Sequence, residues 1–289
     1  MRCKLCNSSL IENYKKIDTY ILLRCKNCNF IFLDNLRLKD KIDKINLKMY
    51  ESEDSKSFYI SKRNELQIRA QNCTKILRLF KKEGKLLDIG CSYGFYCEVF
   101  NKYGYETTGM DISKDAINYI SKTLKLNVIR GNFEKYKFNN KHFDIITMFD
   151  VIEHFNNPNK IIKKIRLLLN KKGIVIIQTP NIDSLIYKVT GTNWFWLLPP
   201  QHLSFFSFIS LMNLLKKNKF NILYKSTWDD IEEFTNNILY ILKLKNKGIT
   251  KTLYFLLKHF IYVIVLLLKG FWNRNYRGGE ILIYAQKTN

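Results

Sequence analysis

The sequence predicts an α/β fold: a doubly wound, Rossmann-like parallel sheet of seven strands, preceded by a small metal-binding unit. From Lys85 onward, apolar strands alternate with amphipathic helices, which is typical of a sheet covered by helices on both faces. A glycine-containing turn follows the first of these strands, where such sheets bind ligands. The chain has 289 residues and is 46% hydrophobic, which is sufficient to fill the core that this fold requires.

Four of the seven cysteines form a metal-ligand pattern near the N-terminus. Cys3-x2-Cys6 is followed by Cys25-x2-Cys28, a spacing typical of zinc ribbons with four thiolate ligands. Strand-like segments at residues 20–24 and 30–33 can form the hairpin that carries the second pair. Residues 1–33 are therefore predicted to be a zinc ribbon with a structural metal, because four sulfurs leave no position for water or substrate. The alternatives are chance pairs or disulfides.

The net charge is +23, from 48 basic and 25 acidic residues. Nucleic acid or an anionic membrane surface could explain such a charge. The lysines, however, are scattered singly or in pairs, whereas a nucleic-acid footprint requires clustering. No specific nucleic-acid partner is therefore expected. The first ten residues lack the apolar core of a signal peptide, so a cytoplasmic protein is expected, with peripheral membrane association as the alternative.

The segment after the ribbon, residues 34–61, is polar and weakly periodic, which predicts a linker with at most one short helix. A helix over residues 64–82 then opens the main domain, predicted to span residues 62–289. The strands of this domain are predicted at residues 85–90, 105–111, 127–130, 143–149, 173–179, 221–228 and 280–286. A helical, apolar insert at residues 231–275 precedes the last strand.

The first strand of the domain ends in the loop Gly90-Cys91-Ser92-Tyr93-Gly94. The two glycines permit a tight turn and the close approach of a ligand, and the following helix presents N–H groups without helical partners. A dinucleotide site would require G-x-G-x-x-G, which this loop does not supply. The second strand ends in Asp111, 21 residues after Gly90, a position from which an acid can bind ribose hydroxyls.

Four segments together carry a family resemblance: LDIGCSYG at 87–94, GMDIS at 109–113, GNFE at 131–134 and FDIITMFDVIEH at 143–154. They resemble a class I S-adenosylmethionine-dependent methyltransferase of the ubiquinone-biosynthesis-like group, over about residues 64–230. The resemblance implies a set of cofactor-binding residues at the strand ends. They are Asp88, Gly90 and Gly94 for the methionine part, Asp111 for the ribose, and Asn132 and Phe133 for the adenine, with Cys91, Ser92, Ile112 and Asp150 beside them.

The sequence departs from the family pattern at two of these positions. Ser92 stands where many relatives have a glycine, which would tighten the loop. Asn132 stands where an aspartate is common, but an amide oxygen can still accept a hydrogen bond from the adenine amino group. S-adenosylmethionine therefore remains the expected cofactor.

The acceptor side is predicted after the fourth strand, where Asp150, Glu153 and His154 resemble a divalent-metal site of relatives that methylate hydroxyls. A cation there, such as Mg²⁺, would lower the pKa of an acceptor hydroxyl. Alternatively, Glu153 and His154 cap the next helix and pack against the sheet. His202 follows the fifth strand in an aromatic, proline-bounded segment, and is predicted to be a general base or a third metal ligand. A purely structural histidine is the alternative.

The expected function is methyl transfer to a small hydroxylated metabolite. A zinc knuckle joined to this kind of domain resembles enzymes that methylate sugars or nucleotide-linked sugars for surface polysaccharides. The alternatives are a quinone or lipid-like acceptor at the membrane surface, an RNA acceptor, and a catalytically silent binding protein. No Asn-Pro-Pro-Tyr-like motif follows the fourth strand, which disfavours the RNA acceptor.

The apolar insert contains the segment 249–272, whose apolar run is interrupted by Lys258 and His259. Because its unbroken piece is short, a membrane-spanning helix is not expected. On a helix, Lys247, Lys251, Lys258 and Lys269 form a narrow cationic stripe. Such a helix suits burial against its own domain, a homodimer interface, or peripheral contact with a membrane.

Overall fold

A computed structural model describes residues 1–34, 53–139, 142–242 and 251–288 of the chain. These residues form two sheets and the helices that pack against them. The strands are β1 (Ile11–Ile17), β2 (Tyr20–Cys25), β3 (Ile31–Leu33), β4 (Gly84–Ile89), β5 (Tyr105–Asp111), β6 (Asn127–Arg130), β7 (Phe143–Phe149), β8 (Leu169–Pro180), β9 (Ser204–Phe205), β10 (Phe220–Trp228) and β11 (Glu280–Lys287).

The larger sheet has seven strands in the order β10-β11-β8-β7-β4-β5-β6. Strands β6, β5, β4, β7 and β8 are parallel, whereas β11 and β10 are antiparallel to their neighbours. The chain reverses its direction of travel across the sheet between β4 and β7, which is the switch point where such sheets bind ligands. The predicted seven-stranded, doubly wound fold is confirmed.

The helices cover this sheet or extend from its edge. They are α1 (Glu53–Ser61), α2 (Arg63–Leu77), α3 (Phe95–Lys102), α4 (Lys114–Tyr119), α5 (Pro158–Leu168), α6 (Leu185–Thr190), α7 (Phe208–Lys217), α8 (Ile231–Ile241) and α9 (Lys251–Arg274). Helix α1 lies inside the segment predicted as a linker; residues 35–52 of that segment lie outside the described residues.

The core lies on both faces of the seven-stranded sheet. Central strand β8 is buried from Gly173 to Pro180, and its neighbour β7 is buried over most of its length. A parallel strand covered on both faces needs apolar side chains on both, which explains the runs IVII in β8 and IITM in β7.

The N-terminal ribbon is joined to the main domain by a sheet of its own. Strands β1, β2 and β3 form an antiparallel meander, and β3 pairs with β9 through Ile31 opposite Phe205. Cys25, Phe30 and Phe206 belong to one buried cluster, and the Phe30 and Phe206 rings are 5.3 Å apart. The ribbon therefore shares its core with the segment that follows His202 and is not packed as an independent unit.

The insert before β11 forms two helices, α8 and α9, with residues 243–250 outside the described part. Helix α9 continues through Lys258 and His259, so these residues interrupt the apolar run of the sequence but not the predicted helix. One stretch, Thr252–Arg274, is long and apolar enough to cross a membrane by its length and composition, with a hydropathy of 1.8. Only 6% of its most apolar window is buried, so burial against its own domain is wrong for most of this helix.

Candidate active site

The loop after β4 makes a tight turn and leads directly into α3. Gly90 and Gly94 have φ values of 70° and 77°, a region that disfavours residues with a Cβ. A Cβ on Gly90 would lie 2.4 Å from Cγ2 of Val151. The backbone N–H groups of Gly90 and Cys91 both donate to Met110 O, at 2.8 and 3.1 Å. The predicted glycine loop is thus built from backbone contacts between β4 and β5.

Asp111 lies at the carboxyl end of β5 and ties the two loops together. Its carboxylate accepts hydrogen bonds from the backbone N–H groups of Ser92 at 2.9 Å and Ser113 at 2.8 Å. Burial raises the pKa of Asp111, and these N–H groups oppose that shift. Ser92 has a φ of 46°, so the residue in the middle glycine position adopts a glycine-like backbone. Ile112 lies half-buried beside it.

Asp88, predicted to hold the methionine part of the cofactor, directs its carboxylate into the sheet. Thr147 Oγ1 donates to Asp88 Oδ1 at 2.6 Å, and Cys97 Sγ contacts Oδ2 at 3.4 Å. Burial raises the pKa of Asp88 to about 7. In this conformation the Asp88 side chain joins β4, β7 and α3.

The predicted adenine residues follow β6. Asn132 Oδ1 accepts a hydrogen bond from Glu134 N at 2.8 Å, and its second lone pair suits a further donor. Phe133 is buried, and Lys164 Nζ lies 4.9 Å from its ring centroid. Lys164 also donates to the Phe133 carbonyl at 2.6 Å, so helix α5 fixes this turn.

Three side chains predicted for the acceptor side come together next to the end of β7. Glu153 and His154 lie in a 3₁₀ turn, Ile152–His154, and His202 lies on the segment between α6 and β9. One ligand atom from each of the three residues lies within 4.8 Å of those of the other two. The turn is not the cap of α5, because Asn157 caps that helix by accepting from Lys160 N. The capping part of the alternative is therefore wrong, but Glu153 does pack against the sheet, because it accepts a hydrogen bond from Thr179 of β8.

Both imidazoles face backbone carbonyls. His154 Nδ1 lies 3.0 Å from Gln201 O, and His202 Nδ1 lies 2.8 Å from Trp196 O. A carbonyl oxygen only accepts, so Nδ1 of His202 carries its proton and Nε2 of His202 has the lone pair that a metal requires. The backbone carbonyl of Asp150 also acts on the His154 ring. Burial lowers the pKa of His202 to about 3, with a further contribution from His154.

Glu153 is 2% exposed, and burial raises its pKa, with a further contribution from the Asp150 charge. Its Oε2 accepts a hydrogen bond from Thr179 Oγ1 at 2.8 Å, whereas its buried Oε1 has no hydrogen-bond partner. The backbone carbonyl of Glu153 accepts from Leu203 N. An unpartnered buried oxygen beside two imidazoles fits a cation better than it fits a closed core.

Asp150 does not belong to this group of potential ligands, although it was predicted with Glu153 and His154. Its Oδ2 accepts from Gln178 Nε2 at 3.0 Å, and its buried Oδ1 has no hydrogen-bond partner. His202 takes the predicted place of Asp150 in the cluster. A set with two imidazoles departs from the oxygen ligands that Mg²⁺ prefers and suits a transition metal.

A narrow cavity adjoins Asp150, and the sequence analysis missed most of the residues around it. Its lining includes Trp196, Glu233 and Glu280. Burial raises the pKa of Glu233 to about 8 and raises that of Glu280, with the Asp150 charge as a further cause for Glu280. Glu280 Oε2 is buried without a hydrogen-bond partner. Each glutamate comes from the C-terminal part of the chain, outside every sequence motif.

Tyr59 on α1 was also missed, because its segment was predicted as a linker. Its ring lies 6.1 Å from that of Tyr93 in the cofactor loop. Burial raises the pKa of Tyr59 to about 12, with further contributions from the charges of Asp150, Asp111 and Glu153. Tyr59 therefore lies between the predicted cofactor and acceptor groups.

The four N-terminal cysteines converge as predicted. Cys3 Sγ lies 3.5 Å from Cys28 Sγ, Cys6 Sγ lies 3.5 Å from Cys25 Sγ, and all four sulfurs lie within 4.8 Å of one another. A tetrahedron with zinc–sulfur bonds of about 2.3 Å has edges of about 3.8 Å, which these contacts approach. Each Cys-x-x-Cys turn ends in a left-handed asparagine, whose N–H donates to the carbonyl of the first cysteine of its pair. The residues fit a zinc ion.

Comparison with known proteins identifies the fold class. The methyltransferase domain family matches residues 64–225, more than half of the chain, so the chain belongs to this family. A SAM-dependent methyltransferase from Archaeoglobus fulgidus superposes with a TM-score of 0.55 at 18% identity, over 80% of this chain and 99% of that protein. The predicted resemblance to class I S-adenosylmethionine-dependent methyltransferases is confirmed.

Sequence relatives share the part of the chain that carries the cofactor motifs. The ubiquinone biosynthesis O-methyltransferase of Pelagibacter ubique is 30% identical over 151 residues, covering 49% of this chain and 63% of the relative. The protein of the same name from Coxiella burnetii is 29% identical over 123 residues, covering 40% and 53%. The chain thus spans less than two thirds of the length of these relatives.

Proposed function

We propose that this protein is an O-methyltransferase. It would transfer the methyl group of S-adenosylmethionine to a hydroxyl group of a phenol that is a precursor of a quinone. The observation that carries the proposal is the buried group of Glu153, His154 and His202 beside the end of β7. The names of the sequence relatives support a phenolic acceptor over the sugar expected from the sequence. The acceptor is assigned by chemical class only.

The cofactor side of the reaction depends on binding and orientation. The cofactor supplies an electrophilic methyl group, and transfer to oxygen is a displacement that gains most from alignment of the reacting atoms. Asp111 would accept the ribose hydroxyls through the lone pairs that the backbone N–H groups of Ser92 and Ser113 do not use. The Gly90 backbone permits close approach, and the Tyr59 ring lies beside Tyr93 of the cofactor loop.

The acceptor side would hold the hydroxyl in position, and the proton of this hydroxyl would pass to a buried carboxylate such as that of Asp150. A divalent transition metal held by Glu153, His154 and His202 would lower the pKa of a bound hydroxyl. The chain's own residues would align the acceptor: the buried carboxyl groups of Asp150 and Glu280 contact each other, and each has oxygens that can accept a further hydrogen bond. A second hydroxyl on the acceptor, as in a catechol, could donate to either carboxyl group.

The N-terminal cysteines would hold a structural zinc ion. All four positions of a tetrahedron would be filled by sulfur, so this ion would not touch the acceptor. Its role follows from the pairing of β3 with β9, because β9 begins two residues after His202. The zinc would thereby stabilise the segment that carries one of the acceptor-side imidazoles.

The test is a methyl-transfer assay with purified protein, S-adenosylmethionine and a catechol that carries a short prenyl chain. We expect methylation of one hydroxyl, and chelation should lower turnover at least tenfold. Mn²⁺ or Zn²⁺ should restore the wild type but not Glu153→Gln. Elemental analysis should find a second metal besides the ribbon zinc, and Glu153→Gln should lose only that one. Full turnover in chelated wild type would contradict a metal on the acceptor side.

A sugar or nucleotide-linked sugar is the second candidate acceptor. The carboxyl groups of Glu233 and Glu280 around the cavity favour it, since hydroxyl groups can donate to them. Turnover on a nucleotide-linked hexose without turnover on the catechol would select this candidate. The RNA acceptor remains a prediction, and the same assay with a short oligonucleotide tests it. If the protein does not bind S-adenosylmethionine at all, the catalytically silent binding protein is the alternative that is favoured.

A further inference from the structure

We propose that helix α9 docks the protein on an anionic membrane, lying in the plane of the bilayer surface with its apolar face in the lipid. Helix α9 has 24 residues, and its outward face is almost entirely apolar. The observations that carry the inference are the exposure of this face, the attachment of the opposite face to the domain, and the charge of the surrounding segment.

The outward face of α9 is the main exposed apolar surface of the described residues. Eleven of the 24 large hydrophobic side chains that are exposed in these residues lie on this one helix. They are Leu253, Phe255, Leu256, Phe260, Tyr262, Val263, Ile264, Leu266, Leu267, Leu268 and Phe271. Together they expose roughly 1,000 Å², which exceeds the few hundred Å² usual for the largest patch of a monomeric protein.

The opposite face of α9 contacts the main domain at three positions. Val265 and Trp272 are buried, and the Trp272 ring stacks on Phe234 at 5.5 Å. Trp272 Nε1 donates to Asp229 Oδ2 at 2.7 Å, and Lys258 Nζ lies 3.3 Å from a Glu232 carboxylate oxygen. A helix crossing the bilayer would carry these partners into the hydrocarbon, so docking in the plane of the surface fits the contacts.

The charge of this segment identifies an anionic lipid as the occupant. Residues 242–279 contain eight lysines and arginines and no aspartate or glutamate. Arg274 and Arg277, at the end of the helix, are exposed. Basic residues beside an inserted apolar face are attracted to the head groups of anionic lipids. A second copy of the chain would instead bring like charges together, because the segment offers no acid to pair with them.

The docking would place the acceptor cavity close to the lipid. Trp272 and Val265 share one hydrophobic cluster with Leu203 and Trp196, which flank His202. Phe234, the stacking partner of Trp272, also lines the cavity. An acceptor with a lipid chain could then reach the site from the bilayer. The docking itself depends on α9 alone and stands whether or not the acceptor is a phenol.

The test is sedimentation of the full chain with vesicles of phosphatidylcholine, with or without phosphatidylglycerol, in the absence of cofactor and acceptor. We expect at least tenfold stronger binding to the anionic vesicles. The double variant Leu267→Glu/Phe271→Glu should lose at least tenfold of that affinity. Turnover of this variant on a water-soluble catechol should stay unchanged, which separates the docking from the proposed function.

The matched control is Leu79→Glu/Leu167→Glu. These side chains are 77% and 73% exposed, against 74% and 76% for Leu267 and Phe271, but they lie away from α9. The control should bind vesicles like the wild type. Equal losses in both double variants, or no vesicle binding by the wild type, would overturn the proposal. The proposal would also be overturned if the wild type sediments as a dimer without lipid and only the α9 variant is monomeric. That result would show that a second copy of the chain covers the apolar face.

Discussion

The cofactor edge and the acceptor edge of the same sheet are built in different ways. The cofactor edge takes its residues from three successive strand ends within residues 88–133, and backbone contacts between β4 and β5 form its loop. The acceptor edge combines side chains from residues 150–154, 196–202, 233 and 280, with the ribbon packed behind them. The first edge depends on local motifs, whereas the second depends on long-range packing.

This difference has an electrostatic counterpart. On the cofactor edge, the Asp111 carboxylate is held by backbone N–H groups. On the acceptor edge, Glu153 keeps a buried oxygen without a hydrogen-bond partner, and burial raises the pKa of Glu153 and of Glu280. A buried acid without a partner is costly. The acceptor edge therefore has the groups that a ligand or metal would satisfy, and substitutions there should affect turnover more than cofactor affinity.

The largest effect is expected on the acceptor edge. Glu153→Gln and His202→Ala should each lower turnover by about 10- to 1,000-fold, the range for a group that positions an acceptor or a metal. Affinity for S-adenosylmethionine should stay within about twofold in calorimetric titration. If His202→Ala keeps full turnover, the segment around it is only a hydrophobic cover.

The next effect tests whether the ribbon belongs to the acceptor edge. Cys25→Ser should lose the structural zinc and lower turnover by about 10- to 100-fold, because β3 no longer supports β9. Cofactor affinity should change little. Cys73→Ala, at a buried cysteine outside the cluster, should keep its zinc in elemental analysis. A ribbon that acts independently would leave turnover unchanged in Cys25→Ser.

A smaller effect is expected on the cofactor edge. Asp111→Ala should weaken binding of S-adenosylmethionine by about tenfold or more, which corresponds to about 1.4 kcal/mol or more. Asp115→Ala removes an exposed acid four residues away and should bind like the wild type. Equal affinities of both variants in titration calorimetry would remove Asp111 from the cofactor site.

The smallest effect concerns stability rather than activity. The raised pKa of Asp88, about 7 in the folded protein, means that the folded state holds a proton that the unfolded state releases near pH 4. Wild-type stability from this group is therefore lost as pH rises from about 4 to about 7. The Asp88→Asn variant does not lose stability in this way, but its amide forms a weaker hydrogen bond with Thr147. We therefore expect its free energy of unfolding at pH 8 to exceed that of the wild type by about 1 kcal/mol.

The measurement is chemical denaturation of both proteins at pH 5 and pH 8. The stability of Asp88→Asn relative to the wild type should be greater at pH 8 than at pH 5. Cys97 and Asp111 are the other titratable groups that act on Asp88, and both are unchanged in the variant. An advantage that is equal at the two pH values would place the Asp88 pKa near its ordinary value.

Much of the fold followed from the sequence because its signals are short-range. The strand bounds at residues 105–111, 127–130 and 143–149 were predicted to the residue, since apolar runs and turn residues mark buried strands. The apolar run of α9 was predicted to be too interrupted by Lys258 for a membrane-spanning helix, whereas the helix is long and apolar enough by its length and composition. The ammonium group of Lys258 reaches Glu232 on α8, a partner that local patterning does not reveal.

The sequence by itself determined the sites whose residues occur in short motifs. The four cysteines, the glycine loop with Asp111, and the turn with Glu153 and His154 are each close in the chain, so spacing alone predicts their geometry. The tertiary structure decided what depends on distant segments. It placed His202, rather than Asp150, beside Glu153 and His154, brought Glu280 to the cavity, and left the apolar face of α9 exposed. Burial and charge at these places arise from packing, which has no local signature in the sequence.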